Sequence, residues 1–262
     1  MPGTAVVTGA TSGIGAAFAR ALAAEGSDLV LVARDARRLS ELAGELRDRY
    51  GVAADVLPAD LTDLTGPDGC AAVEARLADP DLPPVELLVN NAGKGLKGSF
   101  WRTPVREQED MLNLNCTSVL RLTHAALRTM VPRDRGGVIT VSSVAGLTPG
   151  SRGAYSATKA WATVFTESLA TELAGTNVRA SVVAPGFVHT EFHQRAGMDM
   201  RRVPDMLWLD ADDVAAAALR GHRRGKVLTV PGRQYQALVL AAKLAPRGAT
   251  RFVGGLLRRK VW

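Results

Sequence analysis

Apolar positions along the chain fall into two alternating patterns. Short unbroken runs occur at Ala5 to Thr8, Leu29 to Ala33, Ala53 to Leu57, Leu87 to Asn90, Val138 to Ser142 and Arg179 to Ala184. They have strand length and no polar alternation, which predicts strands buried on both faces, as in a parallel sheet. Between them, apolar residues recur at helical spacing over Ile14 to Glu25, Ala36 to Arg49, Gly69 to Ala78, Glu107 to Met130 and Ala154 to Leu173. A capped helix over Asp210 to Arg220 and a short strand over Val227 to Val230 follow. Strand then helix, repeated six times, predicts an α/β fold with a doubly wound parallel sheet flanked by helices. Neither an internal repeat nor a long linker divides it, so 1–232 reads as one domain and 233–262 as a C-terminal tail.

Composition supports a large core: 47% of the 262 residues are hydrophobic and 22% charged, which excludes a disordered chain. The two cysteines, Cys70 and Cys116, suggest neither a disulfide framework nor a metal cluster, and a reducing cytoplasm fits. The chain opens directly into the strand-like run Thr4 to Thr8, so no signal peptide is expected. No apolar stretch approaches the ~20 residues of a membrane span. The net charge of +6 hides an asymmetry, because Val214 to Trp262 carries 11 Lys or Arg and no acid. The preceding 213 residues hold 21 basic and 26 acidic groups, which argues against a body built for nucleic acid.

The first strand ends in Thr8-Gly9-Ala10-Thr11-Ser12-Gly13-Ile14-Gly15, directly before a helix. Glycines there permit a tight turn and close approach of a pyrophosphate, and the helix N-terminus offers N–H groups to its charge. Such a turn alone is also an ordinary strand-to-helix connection. Its Gly-x3-Gly-x-Gly spacing resembles the short-chain dehydrogenase/reductase family, whose fold is Rossmann-type. Cofactor contacts then fall on Gly9, Ser12, Gly13, Ile14 and Gly15. At the end of strand two, Ala33 stands where the family's NAD users carry Asp, and Arg34 follows it. A guanidinium suits a 2′-phosphate, which points to NADP(H); the bland alternative makes Arg34 the start of a charged helix surface. Some NADP users also carry a basic residue inside the turn, where this chain has Ser12. Asp60-Leu61 resembles the family's adenine-contacting pair. Asn90-Asn91-Ala92-Gly93 resembles its characteristic tetrapeptide, which implies cofactor roles for Asn90, Ala92 and Gly93.

Tyr155 and Lys159 stand at i and i+4, on one face of a helix. Carbonyl reduction must deliver a proton to oxygen as hydride reaches carbon, and a neighbouring ammonium lowers a tyrosine's pKa toward that task. Alone, the pair is more often an aromatic beside a surface lysine. Upstream, Ser142-Ser143-Val144-Ala145-Gly146 resembles the family's serine motif. Ser143 precedes Tyr155 by 12 residues where 13 is commoner, which leaves Ser142 as a competing candidate. Leu112-Asn113-Leu114-Asn115 resembles the asparagine motif; the resemblance implies that Asn115 holds a relay water beside Lys159, with Asn113 the poorer match. Pro185-Gly186-Phe187-Val188-His189-Thr190 is similar to the family's Pro-Gly loop and implies cofactor contacts at Val188 and Thr190. None of the four histidines is assigned to catalysis, and no cluster has metal-ligand spacing.

The resemblance covers about 1–231. It implies a Rossmann-type sheet of about seven parallel strands and assembly as a homodimer or homotetramer through the two long helices. It also implies oxidation or reduction of a small-molecule alcohol or carbonyl, with Asn115, Ser143, Tyr155 and Lys159 as the catalytic set. A non-catalytic dinucleotide sensor on the same fold is the rival reading, and the intact set stands against it. A lid is expected at about 191–209, where Phe192, Met198, Met200, Met206, Leu207 and Trp208 either line an apolar pocket or form local core. In the tail, the run Ala237 to Ala242 and Phe252, Val253, Leu256, Leu257 and Trp262 interleave with Arg247, Arg251, Arg258, Arg259 and Lys260. That pattern suits peripheral contact with an anionic inner membrane face; covering the pocket or a partner subunit is the alternative.

Overall fold

The computed structural model describes residues 3–148, 153–197 and 203–244. The first half runs β1 (Thr4–Thr8), α1 (Gly13–Ala24), β2 (Asp28–Ala33), α2 (Ala36–Tyr50), β3 (Ala54–Pro58), α3 (Cys70–Ala78) and β4 (Val85–Asn90). Then come α4 (Val105–Leu112), a π-helical turn (Asn113–Thr117), α5 (Ser118–Met130), β5 (Gly136–Val141), α6 (Val144–Leu147), α7 (Ala154–Glu172) and β6 (Val178–Val183). The chain continues through β7 (Phe187–Val188), α8 (Phe192–Arg195), β8 (Trp208–Leu209), α9 (Ala211–Arg223), β9 (Leu228–Thr229) and α10 (Arg233–Leu244).

Seven strands form one sheet in the order β3-β2-β1-β4-β5-β6-β9, and every neighbouring pair is parallel. The alternation of side chains along each strand feeds two separate layers. Ala5, Val7, Leu29 and Leu31 pack with Phe18 and Leu22 of α1, Leu39, Leu42 and Leu46 of α2, and Val214 and Leu219 of α9. Val6, Val30 and Val32 face the other way, onto Val73 and Leu77 of α3 and Leu122, Ala126 and Met130 of α5. This is the double burial that the unbroken apolar runs predict, except at the edge strand β3, where Asp55 and Val56 are exposed. The helix ends are set locally: Asp35 accepts from the Arg38 N–H at 3.0 Å to start α2, and Gly51 ends it with φ of 69°.

Three features differ from the sequence reading. The expected helix over Glu107 to Met130 begins at Val105 and is interrupted by the π-helical turn, whose extra residue lets Asn115 turn inward to backbone partners. The short pair β7·β8 and the helix α6 were not expected; each is too short to show a period. Beyond Gly232 the chain opens with α10, whose Tyr235 and Val239 are buried against Ala184 and Val230. The tail residues from Ala245 on, and Met198 and Met200 of the expected lid, lie outside the described residues.

The strand order reverses between β1 and β4, because the chain winds outward in one direction through β2 and β3 and in the other through β5, β6 and β9. At such a switch point the two sets of connections diverge and leave a crevice beyond the carboxyl ends of the strands.

Candidate active site

That crevice is a cleft of about 1660 Å³, larger than the ~300–1,000 Å³ of ordinary small-molecule pockets. It has room for a dinucleotide and a second ligand. One end is built on the glycine turn. Gly9 and Gly13 have φ of 65° and 53°, a backbone that favours glycine. A Cβ on Gly15 would lie 2.2 Å from the Gly9 carbonyl oxygen, so Gly15 packs the helix onto the turn. Ser12 makes no side-chain capping bond, so no cap competes with an anion at the first turn of α1. The turn is braced from β4: Asn91 Nδ2 donates to the carbonyls of Thr8 (2.8 Å) and Gly9 (3.2 Å), and the N–H groups of Asn91 and Ala92 both donate to Thr8 Oγ1.

Arg34 reaches the cleft from the end of β2 and is exposed. Asp60 and Leu61 line the same end; Asp60 Oδ1 accepts from the Thr62 N–H (3.0 Å) and hydroxyl (2.8 Å), which fixes the loop after β3. A bare glycine turn, an open helix N-terminus and a guanidinium at the end of β2 are what a phosphorylated dinucleotide requires of its site, so these residues fit such a cofactor.

The other end holds Tyr155 and Lys159, one turn apart on α7 and both lining the cleft. Lys159 is buried, its Nζ donating to the Val141 carbonyl at 2.8 Å, and burial pushes its pKa down from 10.5 to about 8. The two serines separate by use. Ser142 spends its buried hydroxyl on α7, donating to the Lys159 carbonyl at 2.7 Å and pairing with Thr163 Oγ1 at 2.8 Å. Ser143 heads α6, its Oγ accepting from the Ala145 N–H at 3.1 Å beside the cleft.

Asn115 lies behind the cleft wall. Its Oδ1 accepts from the Lys94 N–H (2.9 Å), and its Nδ2 donates to the Lys94 carbonyl (2.9 Å) and to Thr158 Oγ1 (3.0 Å). A Cβ on Gly93 would stand 3.3 Å from both Asn115 Oδ1 and Lys159 Nζ, so the missing side chain lets these two groups face one point. Asn113 turns elsewhere, its Nδ2 donating to the Thr62 carbonyl.

Of the residues singled out from sequence, Gly9, Ser12, Gly13, Ile14, Arg34, Asp60, Leu61, Ala92, Gly93, Ser143, Tyr155, Lys159, Val188 and Thr190 all line this one cleft. Gly15, Asn90 and Asn115 do not. Asn90, expected to touch the cofactor, is buried and its Nδ2 donates to Thr123 Oγ1 of α5 at 2.9 Å. Sequence reasoning missed its neighbour Asn91, which does line the cleft, although both belong to one tetrapeptide. It also missed Arg38 and Tyr235. The Tyr235 ring covers Gly186, where a Cβ would lie 1.9 Å from its Cζ; its hydroxyl accepts from the Phe187 N–H and donates to the Leu207 carbonyl. Nothing local in the sequence marks that contact.

Phe187, Phe192, Leu207 and Leu238 add an apolar lining to the cleft. Phe192 stands against Tyr155 with ring centroids 5.9 Å apart, while Trp208 packs between Phe187 and His189 rather than into the cleft. Met206 is exposed to solvent. Among the described residues no His, Cys, Asp and Glu group has the makings of a metal site.

Comparison with known proteins matches the short chain dehydrogenase family profile to residues 3–201. Nodulation protein G from Rhizobium sp. (strain N33) is 39% identical over 188 residues, which covers 71% of this chain and 73% of that one. A short-chain dehydrogenase from Sphingobium yanoikuyae, solved in complex with NADPH, superposes with a TM-score of 0.83 at 37% identity, covering 93% of this chain and 94% of that one. The bulky-bulky ketone specific alcohol dehydrogenase from Comamonas testosteroni superposes at 0.78 with 32% identity over 92% of each chain.

Proposed function

The chain belongs to the short-chain dehydrogenase/reductase family and is an oxidoreductase of it, and from that premise we propose that it interconverts a carbonyl and an alcohol with NADP(H), using Tyr155 as general acid and base. The observation that carries this reading is Tyr155 one turn from a buried ammonium, both facing the cleft that the glycine turn closes at its far end. When bound, the dinucleotide supplies or accepts the hydride. In reduction the Tyr155 hydroxyl gives its proton to the carbonyl oxygen, and Ser143 donates a hydrogen bond to the same oxygen. The Lys159 ammonium favours the phenolate that remains, which lowers the cost of the transfer in either direction. Asn115 Oδ1 offers an acceptor next to Lys159 for a water that returns the proton. Arg34 holds the 2′-phosphate.

The apolar lining by Phe187, Phe192, Leu207 and Leu238 favours a bulky hydrophobic ketone or aldehyde, and the likeness to a bulky-bulky ketone specific alcohol dehydrogenase supports that class. Exposed Leu112 and Leu120 on the α4–α5 segment and Val164 on α7 suit a homodimer or homotetramer built on these helices. No helix among the described residues is long and apolar enough to cross a membrane. We assign the protein to the cytoplasm, with the basic tail resting on an anionic membrane face.

The test is NADPH consumption over a panel of bulky ketones and aldehydes. Tyr155→Phe should lower turnover by ~10²–10⁴-fold while NADPH still binds. Full activity in that variant overturns the mechanism; NADPH binding with no turnover of any carbonyl or alcohol would mark a sensor instead.

A further inference from the structure

The helix α10 is apolar on the face that turns away from the protein. Tyr235 and Val239 point inward and are buried against Ala184 and Val230, just past the carboxyl ends of β6 and β9. At helical spacing on the opposite side stand Ala237, Leu240, Ala241 and Leu244. All four are exposed, Leu240 to 59% and Leu244 to 78%. A helix face so open to water is ordinarily polar, and these four positions hold only alanine and leucine.

The same helix borders the mouth of the cleft. Gln234 and Leu238 stand one turn apart between the buried and the exposed faces; both line the cleft, and Leu238 is half exposed. Gln234 Nε2 donates to the Met206 carbonyl at 3.3 Å, and the Met206 side chain is 77% exposed. Another part of the border, Lys94 to Leu96 after β4, runs on into Phe100 and Trp101, which are also largely exposed. These connections all leave the carboxyl end of one parallel sheet, so bared apolar groups gather at the end where the cleft opens.

Charge and size say what covers this face. Residues 245–262 continue directly from Leu244 and carry Arg247, Arg251, Arg258, Arg259 and Lys260 with no acid. Such a run is attracted to anionic headgroups, and it repels a second copy of itself across a two-fold contact. The helix has 12 residues. Its outer face is therefore about 18 Å long and about 10 Å wide, or roughly 180 Å², far below the ~800 Å² per partner of a stable protein interface. An amphipathic helix needs only such a stripe, with basic residues beside it, to lie in the boundary of a bilayer.

We propose that the outer face of α10 lies in the headgroup–acyl boundary of an anionic membrane, so that the cleft opens into the bilayer and takes its carbonyl substrate from the lipid phase. Lipid-phase entry rests on the carbonyl–alcohol reading and on the tail's membrane contact, and adds to them a docking face and a substrate class: a bulky ketone or aldehyde dissolved among acyl chains. Leu240 and Leu244 enter the apolar boundary while the tail's basic groups meet lipid phosphates. Leu207 and Leu238 line the way from the bilayer to Tyr155. A substrate of this class reaches the site without crossing bulk water.

Leu240→Gln/Leu244→Gln tests this, because glutamine suits a helix as well as leucine does and leaves the net charge unchanged. Neither position lines the cleft. The membranes are vesicles of equal parts phosphatidylglycerol and phosphatidylcholine, and vesicles of phosphatidylcholine alone. A long-chain aryl ketone is dissolved in each at the same mole fraction, and its short-chain, water-soluble analogue is the reference. Wild type should bind the anionic vesicles, and the double variant should bind them about a hundredfold more weakly, tenfold for each leucine lost from the boundary. Turnover of the short-chain ketone with NADPH should agree within about twofold. Wild type should reduce the long-chain ketone several-fold faster from anionic than from neutral vesicles, and the double variant should show no such difference. If the double variant binds anionic vesicles like wild type, the tail alone holds the membrane and the docking face is refuted. If it changes oligomeric state without lipid, by sedimentation velocity, the face belongs to a second copy. If wild type binds but reduces the long-chain ketone at one rate from both kinds of vesicle, the substrate arrives from water and lipid-phase entry is refuted. If wild type stays off anionic vesicles, the tail's membrane contact fails and the docking face with it. If wild type binds and turns over neither ketone, the carbonyl reading and the substrate class fail while the docking face stands.

Discussion

Replacing Lys159 with Met separates what the ammonium does for chemistry from what it costs the fold. The side chain is 6% exposed, and burial pushes its pKa from 10.5 to about 8. Each tenfold loss of proton affinity is worth ~1.4 kcal/mol, so the folded protein holds this proton about 3 kcal/mol less well than the unfolded chain does. The unfolded lysine keeps its proton up to pH near 10.5, and the folded one only to about 8. Between those values the unfolded state binds more protons, so stability rises with pH across that window. Below pH 8 the whole penalty is present, and above 10.5 it is gone. Methionine fills the same space without a charge, but it leaves the Val141 carbonyl, which now accepts at 2.8 Å, without that donor. An unpaired buried acceptor costs ~1–3 kcal/mol, so at pH 7 the two effects largely offset and Lys159→Met should be within about 2 kcal/mol of wild type. The pH slope is the cleaner measure. In urea unfolding followed by circular dichroism, wild type should gain about 3 kcal/mol on Lys159→Met between pH 7 and 10.5. Groups remote from Lys159 cancel in the difference. A difference that stays flat from pH 7 to 10 would refute the buried ammonium, whatever the variant does to activity.

Two further outcomes are expected. Arg34→Ala should weaken NADPH binding by ~1.5–3 kcal/mol, toward the low end because Arg34 is exposed, and leave NADH binding little changed; a wild type that prefers NADH refutes the assignment. Cutting the chain after Leu244 spares Tyr235 and Val239 and removes five basic residues, each worth ~1 kcal/mol near an anionic bilayer. Full-length protein should therefore co-sediment with anionic vesicles at low salt and the shortened one should not, and full-length protein left in the supernatant refutes the membrane contact.

Local patterns carried most of the fold. The strands of the sheet were legible because burial on both faces leaves an unbroken apolar run, as Ala5 to Thr8 shows against its two core layers. That the glycine turn and the Tyr155–Lys159 pair share one cleft was equally legible, since each lies within a few consecutive residues at the end of a strand or the start of a helix. What could not be read depends on contacts between distant positions. The π-helical turn at Asn113 to Thr117 answers to the Lys94 backbone, 21 residues away, and no period in the sequence marks it. Asn90 and Asn91 are the same residue type side by side; only the pleat decides that Asn90 faces α5 and Asn91 faces the glycine turn.

The same distinction separates the two walls of the cleft. One wall is the sheet edge with α1 and α7, and its groups are fixed by regular backbone: Lys159 by Val141, Asn91 by Thr8, and Ser142 by α7. The facing wall, over 185–197 and 203–209, is built from the short pieces β7, α8 and β8. It is held where Tyr235 of α10 bonds Phe187 at its start and Leu207 near its end. Between those two pins stand Thr190, Glu191 and Phe192. Residues fixed by regular backbone thus form the one wall, and residues fixed by contacts with a distant helix form the other. The first kind of residue is recognisable from a short motif. The second is set by α10, more than 40 residues downstream of the Pro-Gly loop it holds.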